Sequence, residues 1–180
     1  MDIGTISSRY AKALFSLAKE KGIEDRIYEN MKVLAENFTA EPGLKAALSN
    51  PVITTANKVK LLKAAGGIQV NDLYVRFINL VIRHKREMLL SFIAYIYIHL
   101  YRTEKKITRV QFDTAVPVDE KIKSHLEKKL KEETGSTIEF SGRVQPELIG
   151  GFRLRIGNYR IDASYATQLR DIHAGLLENR

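Results

Sequence analysis

A chain of 180 residues with 44% apolar content is long enough for one large domain or two small ones, and it can bury a core. It has no cysteine, which excludes disulfides, thiolate catalysis, thiolate zinc sites and Cys-ligated iron–sulfur clusters. The net charge of +8 points to an anionic partner, whether nucleic acid, acidic membrane surface or acidic protein, yet it is spread: residues 1–105 hold 16 Lys/Arg against 10 Asp/Glu, and 106–180 hold 13 against 11.

Dispersed charge of this kind is the usual pattern of a solvated surface. The start MDIGTISSRYAK lacks the charged stretch and apolar core of a secretory signal and is not an Arg-rich transit peptide, so the chain is expected to stay in a bacterial-type cytoplasm.

The first 105 residues read as helices joined by short breaks. Ile6, Tyr10, Ala13, Leu14, Leu17 and Ala18 form one face of a first helix ended by Gly22. Ile23, Ile27, Met31, Leu34 and Phe38 mark a second, closed by Pro42-Gly43, and a brief third covers 44–48 before Asn50-Pro51. Thr54 or Thr55 caps a fourth that carries Val59, Leu62 and Ala65 and stops at Gly66-Gly67. A fifth, 73–82, has Phe77, Ile78, Leu80 and Val81 over much of its circumference, and Arg83-His84-Lys85-Arg86 separates it from a sixth. The run 88–101 is interrupted only by Ser91 and His99; at 14 residues it is shorter than the about 20 needed to cross a bilayer, so a central helix of a bundle is expected.

The period changes from 3.6 to two after Lys105-Lys106. Val110, Phe112, Thr114 and Val116 alternate with Arg109, Gln111, Asp113 and Ala115 in a strand that stops at Pro117. Asp119 caps a charged helix with the thin apolar stripe Ile122, Leu126 and Leu130, and Gly135 ends it before a strand holding Ile138 and Phe140. Gly150 and Gly151 permit unusual backbone angles ahead of a strand in which Phe152, Leu154 and Ile156 alternate with Arg153 and Arg155. Gly157-Asn158 fits a two-residue hairpin turn; Tyr159, Arg160 and Ile161 return, and Asp162 is placed to cap a last helix with the face Tyr165, Leu169, Ile172 and Leu176. The whole reads as α+β: an N-terminal six-helix bundle over 1–105, then a small mixed α/β domain over 106–180 in the order strand, helix, three strands, helix.

No catalytic constellation stands out. His84, His99, His125 and His173 are isolated from one another, with no His-x-x-x-His or Glu-x-x-His pair, so no metal site is expected and His99 reads as a core or boundary residue. Asp162, Ser164 and His173 occur in chain order without an oxyanion motif and read as helix cap and surface. Gly150-Gly151 enters a strand where a phosphate loop enters a helix, so it shapes the sheet. Arg153 and Arg155 either grip an acidic partner or keep their face of the strand wet. The first and fifth helices carry more apolar width than one core contact consumes, which leaves material for a groove that accepts a foreign helix.

The stretch 148–172, LIGGFRLRIGNYRIDASYATQLRDI, places Ile149, Gly150 and Gly151 before a hairpin and Asp162 and Ser164 at the last helix. It resembles the C-terminal signature of the ATP synthase delta subunit, the relative of the mitochondrial oligomycin-sensitivity-conferring protein. Arg9-Tyr10-Ala11-Lys12-Ala13-Leu14-Phe15 is similar to the Tyr-Ala-x-Ala-Leu opening of the same family, so the resemblance spans nearly the whole chain. It implies a non-catalytic peripheral-stalk (stator) subunit, without cofactor, that couples proton flow to ATP synthesis by joining the catalytic head to the stalk.

By the same resemblance, an N-terminal helix of an alpha subunit lies between the first and fifth helices, against Tyr10, Ala13, Leu14, Phe77, Leu80 and Val81, and the C-terminal domain holds the b subunits. The implied location is the cytoplasmic face of the bacterial inner membrane, touching lipid only through the complex. Arg153, Arg155 and the helix over 121–133 are not signature positions, so no motif places the b contacts. The rivals are a basic nucleic-acid-binding module, which net charge alone favours and whose affinity falls steeply with salt, and a small enzyme, which needs a polar pocket of perturbed groups.

Overall fold

The computed structural model describes residues 3–157 and 159–178. The chain divides into two compact units, Met1–Glu104 and Lys105–Arg180. Among the described residues there are eight α-helices and one four-stranded sheet, a mixed α+β protein.

The first unit holds α1 (Ile3–Glu20), α2 (Glu24–Ala40), α3 (Pro42–Ser49), α4 (Thr55–Ala65), α5 (Asp72–Arg83) and, after a 3-10 turn at Glu87–Leu89, α6 (Leu90–Glu104). The ends of these helices follow from local chemistry. Gly22 takes φ +62°, and the paired bonds from Gly22 N–H to the Lys19 carbonyl (3.1 Å) and from Ile23 N–H to the Ala18 carbonyl (3.0 Å) close α1 in a Schellman motif. α5 closes the same way with a residue that has a Cβ: Lys85 takes φ +53° while Lys85 N–H and Arg86 N–H reach the Ile82 and Val81 carbonyls. Thr54 caps α4 by accepting the Asn57 N–H at 3.4 Å.

α2 ends at Ala40, and Glu41 takes φ −119° and ψ 87°, outside the helical region, as a following proline imposes. Pro42 also opens α3, where a missing N–H removes no helical bond, so α3 starts two residues earlier than expected.

α6 packs against both α1 and α2. Small residues on α1, Ser7, Ala11 and Ala18, are completely buried, as is Ala94 on α6, which lets the helices approach closely. Phe15 meets Tyr97 edge to face at 5.6 Å between ring centres. Ile27, Met31 and Leu34 of α2 and Leu90, Ile93 and Tyr97 of α6 have no exposed surface, each aliphatic among them contributing about 1.5–3 kcal/mol on burial. The expectation of a helix buried on every side is corrected here, because Phe92 and Tyr95 of α6 are half exposed. His99, expected in the core or at its boundary, is also exposed.

Buried polar groups fix α5. The Asn30 amide donates to the Gly66 carbonyl (2.9 Å) and the Gln69 carbonyl (3.2 Å) and accepts the Asn71 N–H (3.2 Å), which pins the α4–α5 connection. Asn71 then caps α5 by accepting the Leu73 N–H at 2.9 Å. The Tyr74 hydroxyl donates to the Leu62 carbonyl at 2.8 Å, and its ring fills the space where a Cβ on Gly66 would stand. Lys58, almost wholly buried, donates to the Leu48 carbonyl and to Glu87 Oε1, both at 2.6 Å, so its charge is paired.

The second unit runs β1 (Ile107–Thr114), α7 (Glu120–Thr134), β2 (Thr137–Val144), a 3-10 turn at Pro146–Leu148, β3 (Gly151–Ile156), β4 (Tyr159–Ser164) and α8 (Tyr165–Glu178). The sheet order is β2-β1-β3-β4. β1 and β2 are parallel, with Val110 opposite Phe140, because α7 carries the chain back to the same end of the sheet. β3 is antiparallel to β1, with Phe112 opposite Leu154, and β4 is antiparallel to β3, with Leu154 opposite Ile161. Val110, Phe112, Ile138 and Leu154 bury one sheet face with Leu130 of α7, and Leu126, Phe140 and Ile156 pack at its margin. Asp119 caps α7 through the Lys121 N–H, and Gly135 ends it at φ +60°. Two expected core positions lie outside: Ile122 on α7 is 57% exposed, and Val116, beyond the end of β1, is 66% exposed.

The signature at β3 divides its labour differently from the expectation. Gly151 has φ +72°, but Gly150 has an ordinary angle and the other left-handed residue is Ile149, at φ +65°. A Cβ on Gly151 would lie 2.1 Å from the Ala163 carbonyl oxygen; one on Gly150 would enter the Tyr165 ring at 2.4 Å. Gly157 has φ +56°, and Ile156 pairs with Tyr159 across the hairpin; Asn158 lies outside the described residues. Asp162 does not cap α8, because it lies three residues ahead of the first helical residue, Tyr165. Ser164 is the cap, its hydroxyl accepting the Thr167 N–H at 3.4 Å, and Asp162 supports it by accepting from Ser164 Oγ (2.6 Å) and N–H (3.2 Å). The predicted face of α8 is real as a stripe but uncovered: Tyr165, Leu169, Ile172 and Leu176 are all more than half exposed.

Candidate functional site

α1 and α5 line a groove of about 510 Å³. α1 supplies Arg9, Tyr10, Ala13, Leu14, Leu17 and Lys21, a run along one helical face, and α5 supplies Leu73, Arg76, Phe77 and Leu80 at the spacing of a single stripe. Leu14, Leu73 and Phe77 form a nearly inaccessible floor, whereas Leu17 (39% exposed) and Leu80 (46% exposed) stand as open walls. Ala13 is exposed and short, which keeps the middle of the groove clear.

Tyr10 ties the two walls together. Its ring meets Phe77 edge to face at 6.3 Å, its hydroxyl accepts from Arg86 Nη1 at 3.2 Å, and the Arg86 guanidinium carbon lies 5.4 Å from the ring centre. At one end a hollow of about 270 Å³ continues past Lys21, Leu73 and Arg76 to Asn71 and Asp72.

The charge of the groove is one-sided. Arg9, Lys21 and Arg76 border it, and none of its ten lining residues is acidic. An apolar floor with a cationic rim suits an amphipathic helix whose apolar stripe enters the groove while acidic residues meet the rim.

Of the six residues expected there, Tyr10, Ala13, Leu14, Phe77 and Leu80 line the groove. Val81 does not: it has no exposed surface and faces the core behind the wall. The residues absent from the expectation are Arg9, Leu17, Lys21, Leu73 and Arg76. Leu17 and Leu73 were legible as members of the two apolar stripes, and the cations as their immediate borders.

The remaining candidates resolve into scaffold. The Ser164 hydroxyl donates to Asp162 and caps α8, which leaves it engaged in structure, and His173 is exposed on α8. Burial pushes the Tyr74 and Tyr97 phenols above their ordinary range, and both donate to backbone carbonyls, of Leu62 and Glu24 respectively. Among the described residues, no three His, Asp, Glu or Cys side chains gather as a metal site, and no helix is long and apolar enough to cross a membrane. A hollow of about 420 Å³ between the sheet and α7 is walled by Phe112, Val118 and Phe140, the margin of the unit's own core beneath a thinly apolar helix.

The groove and the scaffold around it are those of a protein–protein interaction subunit. The family model for the ATP synthase delta (OSCP) subunit matches residues 6–176. The chain is 75% identical over 180 residues to ATP synthase subunit delta of Parabacteroides distasonis, covering all of both chains, and 43% identical over 173 residues to that of Phocaeicola vulgatus, covering 96% of this chain and 94% of the relative. Its fold is shared with a chain in the cryo-EM structure of the Toxoplasma gondii mitochondrial ATP synthase hexamer, with a TM-score of 0.69 at 19% identity over 95% of this chain and 97% of that one. The chain belongs to the ATP synthase delta (OSCP) subunit family, and it is a non-catalytic component of the peripheral stalk of ATP synthase.

Proposed function

We propose that the α1/α5 groove receives the N-terminal helix of the ATP synthase alpha subunit and that residues 106–180 hold the b subunits of the stalk. The observation that carries the first half is the groove: an apolar channel, open along Leu17 and Leu80 and rimmed by Arg9, Lys21 and Arg76. In this reading residues 1–105 act as a six-helix bundle whose task is to hold α1 and α5 at the spacing of a third helix. The second half is supported by α8, whose stripe Tyr165, Leu169, Ile172 and Leu176 is exposed along its full length, as an apolar surface awaiting a partner is.

The mechanism is mechanical. Proton flow turns a rotor, and the catalytic head must be held against that torque by two joints in series, so each joint needs nanomolar strength, about 12 kcal/mol. A buried amphipathic helix with aromatic anchors such as Tyr10 and Phe77 supplies this. The chain then sits peripherally on the cytoplasmic face of the bacterial inner membrane and meets lipid only through the complex. A nucleic-acid module is disfavoured because the three cations only border an apolar groove and do not form a continuous basic track for a phosphate backbone.

Calorimetric titration of an alpha-subunit N-terminal peptide into the full chain tests the groove. Ala13→Asp is expected to abolish binding while leaving the fold intact, since the complex would bury an unpaired charge at a cost of several kcal/mol. Unchanged affinity would remove the groove from the interface.

A further inference from the structure

The sheet of the second unit has a polar face opposite its core, and three arginines converge there. Arg153, Arg155 and Arg160 line a small hollow of about 170 Å³ together with Gln111, Asp113 and Gln145. The strand register brings them together: Gln111 lies opposite Arg155, Asp113 opposite Arg153, Arg153 opposite Asp162, and Arg155 directly opposite Arg160. Two like charges in directly opposed positions weaken a sheet, so this arrangement costs stability unless an anion joins it.

The local carboxylates are already engaged. Asp162 Oδ2 accepts from Arg153 Nε at 2.9 Å and from Arg160 Nη2 at 3.1 Å, and its Oδ1 is taken by Ser164. Those bonds, led by the Ser164 hydroxyl, hold the Asp162 carboxyl well below the usual carboxylate range, so it stays ionised. Asp113 is 4% exposed, and both its oxygens accept from Gln111 Nε2, at 3.2 and 3.0 Å. The Arg155 side chain is exposed and has neither hydrogen bond nor ion pair among the described residues.

We propose that this hollow binds one carboxylate group presented by an acidic segment of a protein partner, with Arg155 as the residue that receives it. Among Arg153, Arg155, Arg160, Asp113 and Asp162, three positive charges meet two negative ones, so one carboxylate neutralises this group. The volume holds a carboxylate-bearing side chain, since each water of liquid takes about 30 Å³. The planar fork of an arginine grips a carboxylate through two parallel N–H donors. This site belongs to the second unit, and its assignment does not rest on the occupant of the α1/α5 groove.

The test follows arginine Nε–H resonances in the full-length ¹⁵N-labelled chain during titration with sodium acetate at constant ionic strength. A short blocked peptide carrying one glutamate, its glutamine version and inorganic phosphate are the further probes. Saturable shifts are expected at Arg155 and Arg160 with acetate and the glutamate peptide, but not at exposed Arg26 and not with the glutamine peptide. Arg155→Gln should remove saturation and Arg155→Lys weaken it, and the melting temperature of Arg155→Gln should not fall, because an opposed pair of like charges is relieved. Shifts that are linear and equal at Arg26, tighter binding of phosphate than of acetate, failure of the glutamate peptide where acetate binds, or a lowered melting temperature of Arg155→Gln would each overturn the proposal.

Discussion

At Gly151 a side chain has nowhere to go, since φ is +72° and a Cβ would press on the Ala163 carbonyl oxygen, part of the β4 backbone. Gly151→Val should destabilise the second unit by at least about 1–3 kcal/mol from the backbone conformation alone. Gly150→Ala should cost less, because the obstacle is the Tyr165 ring, which is half exposed and free to turn aside. Thermal melts of the two variants check the order, and equal losses would refute the distinction between a strained angle and a crowded one.

Asp162 makes a pH prediction at the same scale. Its native pKa lies below the ordinary value near 4, so the stability it contributes is fully present above that value and is lost as pH falls below it. Asp162→Asn should therefore melt below the parent at pH 7, and the gap should narrow as pH drops through about 4 toward 2. A gap independent of pH would mean that shape rather than charge holds the β4–α8 corner. The sequence pattern Asp-x-Ser could not say which of the two caps α8, since both side chains can accept a backbone N–H. The helix start decides it: α8 begins at Tyr165, so Ser164 stands directly before the first turn, while Asp162 lies farther back opposite Arg153.

Among the elements, helix ends were the most legible because their chemistry is local. Gly22, Thr54, Asp119 and Gly135 terminate or cap helices as their residue types predict. The start of α3 was placed two residues late because the same proline that cannot continue one helix is well suited to begin another. The parallel pairing of β1 with β2 was not legible, since alternation tells which residues share a face but not which strand lies alongside. The arginine hollow was half legible: the two-residue turn predicted at Gly157-Asn158 already sets Arg155 opposite Arg160, but Gln111 and Asp113 join them only through the β1–β3 pairing.

The α1 stripe is wider than one core contact consumes. Ser7, Ala11, Leu14 and Ala18 turn inward, and the surplus residues Tyr10, Ala13 and Leu17 become the groove wall. α8 carries the same logic further, with a stripe that contributes little to the unit's own core. Leu169→Glu should accordingly leave the melting temperature nearly unchanged, within about 0.5 kcal/mol, while binding of a b-subunit fragment is lost. A large fall in stability would show that α8 is internal scaffold.

At the scale of the molecule, the groove and the α8 stripe lie in different compact units, as two joints in series require. The first unit has its own core, with Leu14, Ile27, Met31, Leu34, Leu62, Tyr74, Ile78, Leu90, Ile93 and Tyr97 all buried, and its buried polar groups Asn30 and Lys58 are satisfied from within it. α6 ends at Glu104, which is paired with Lys19 of α1, so the last helix is fastened to the first before the chain leaves the unit. A fragment of residues 1–105 should therefore fold alone, melt in a single cooperative transition and bind the alpha-subunit peptide as tightly as the full chain does. Raising salt from about 50 to 200 mM should weaken that binding only modestly, because burial of the apolar floor is insensitive to screening and only Arg9, Lys21 and Arg76 respond to it. A fragment without helical signal beside a folded full chain would show that the second unit is needed to complete the first, and a loss of affinity by orders of magnitude with salt would return the groove to the class of polyanion-binding surfaces.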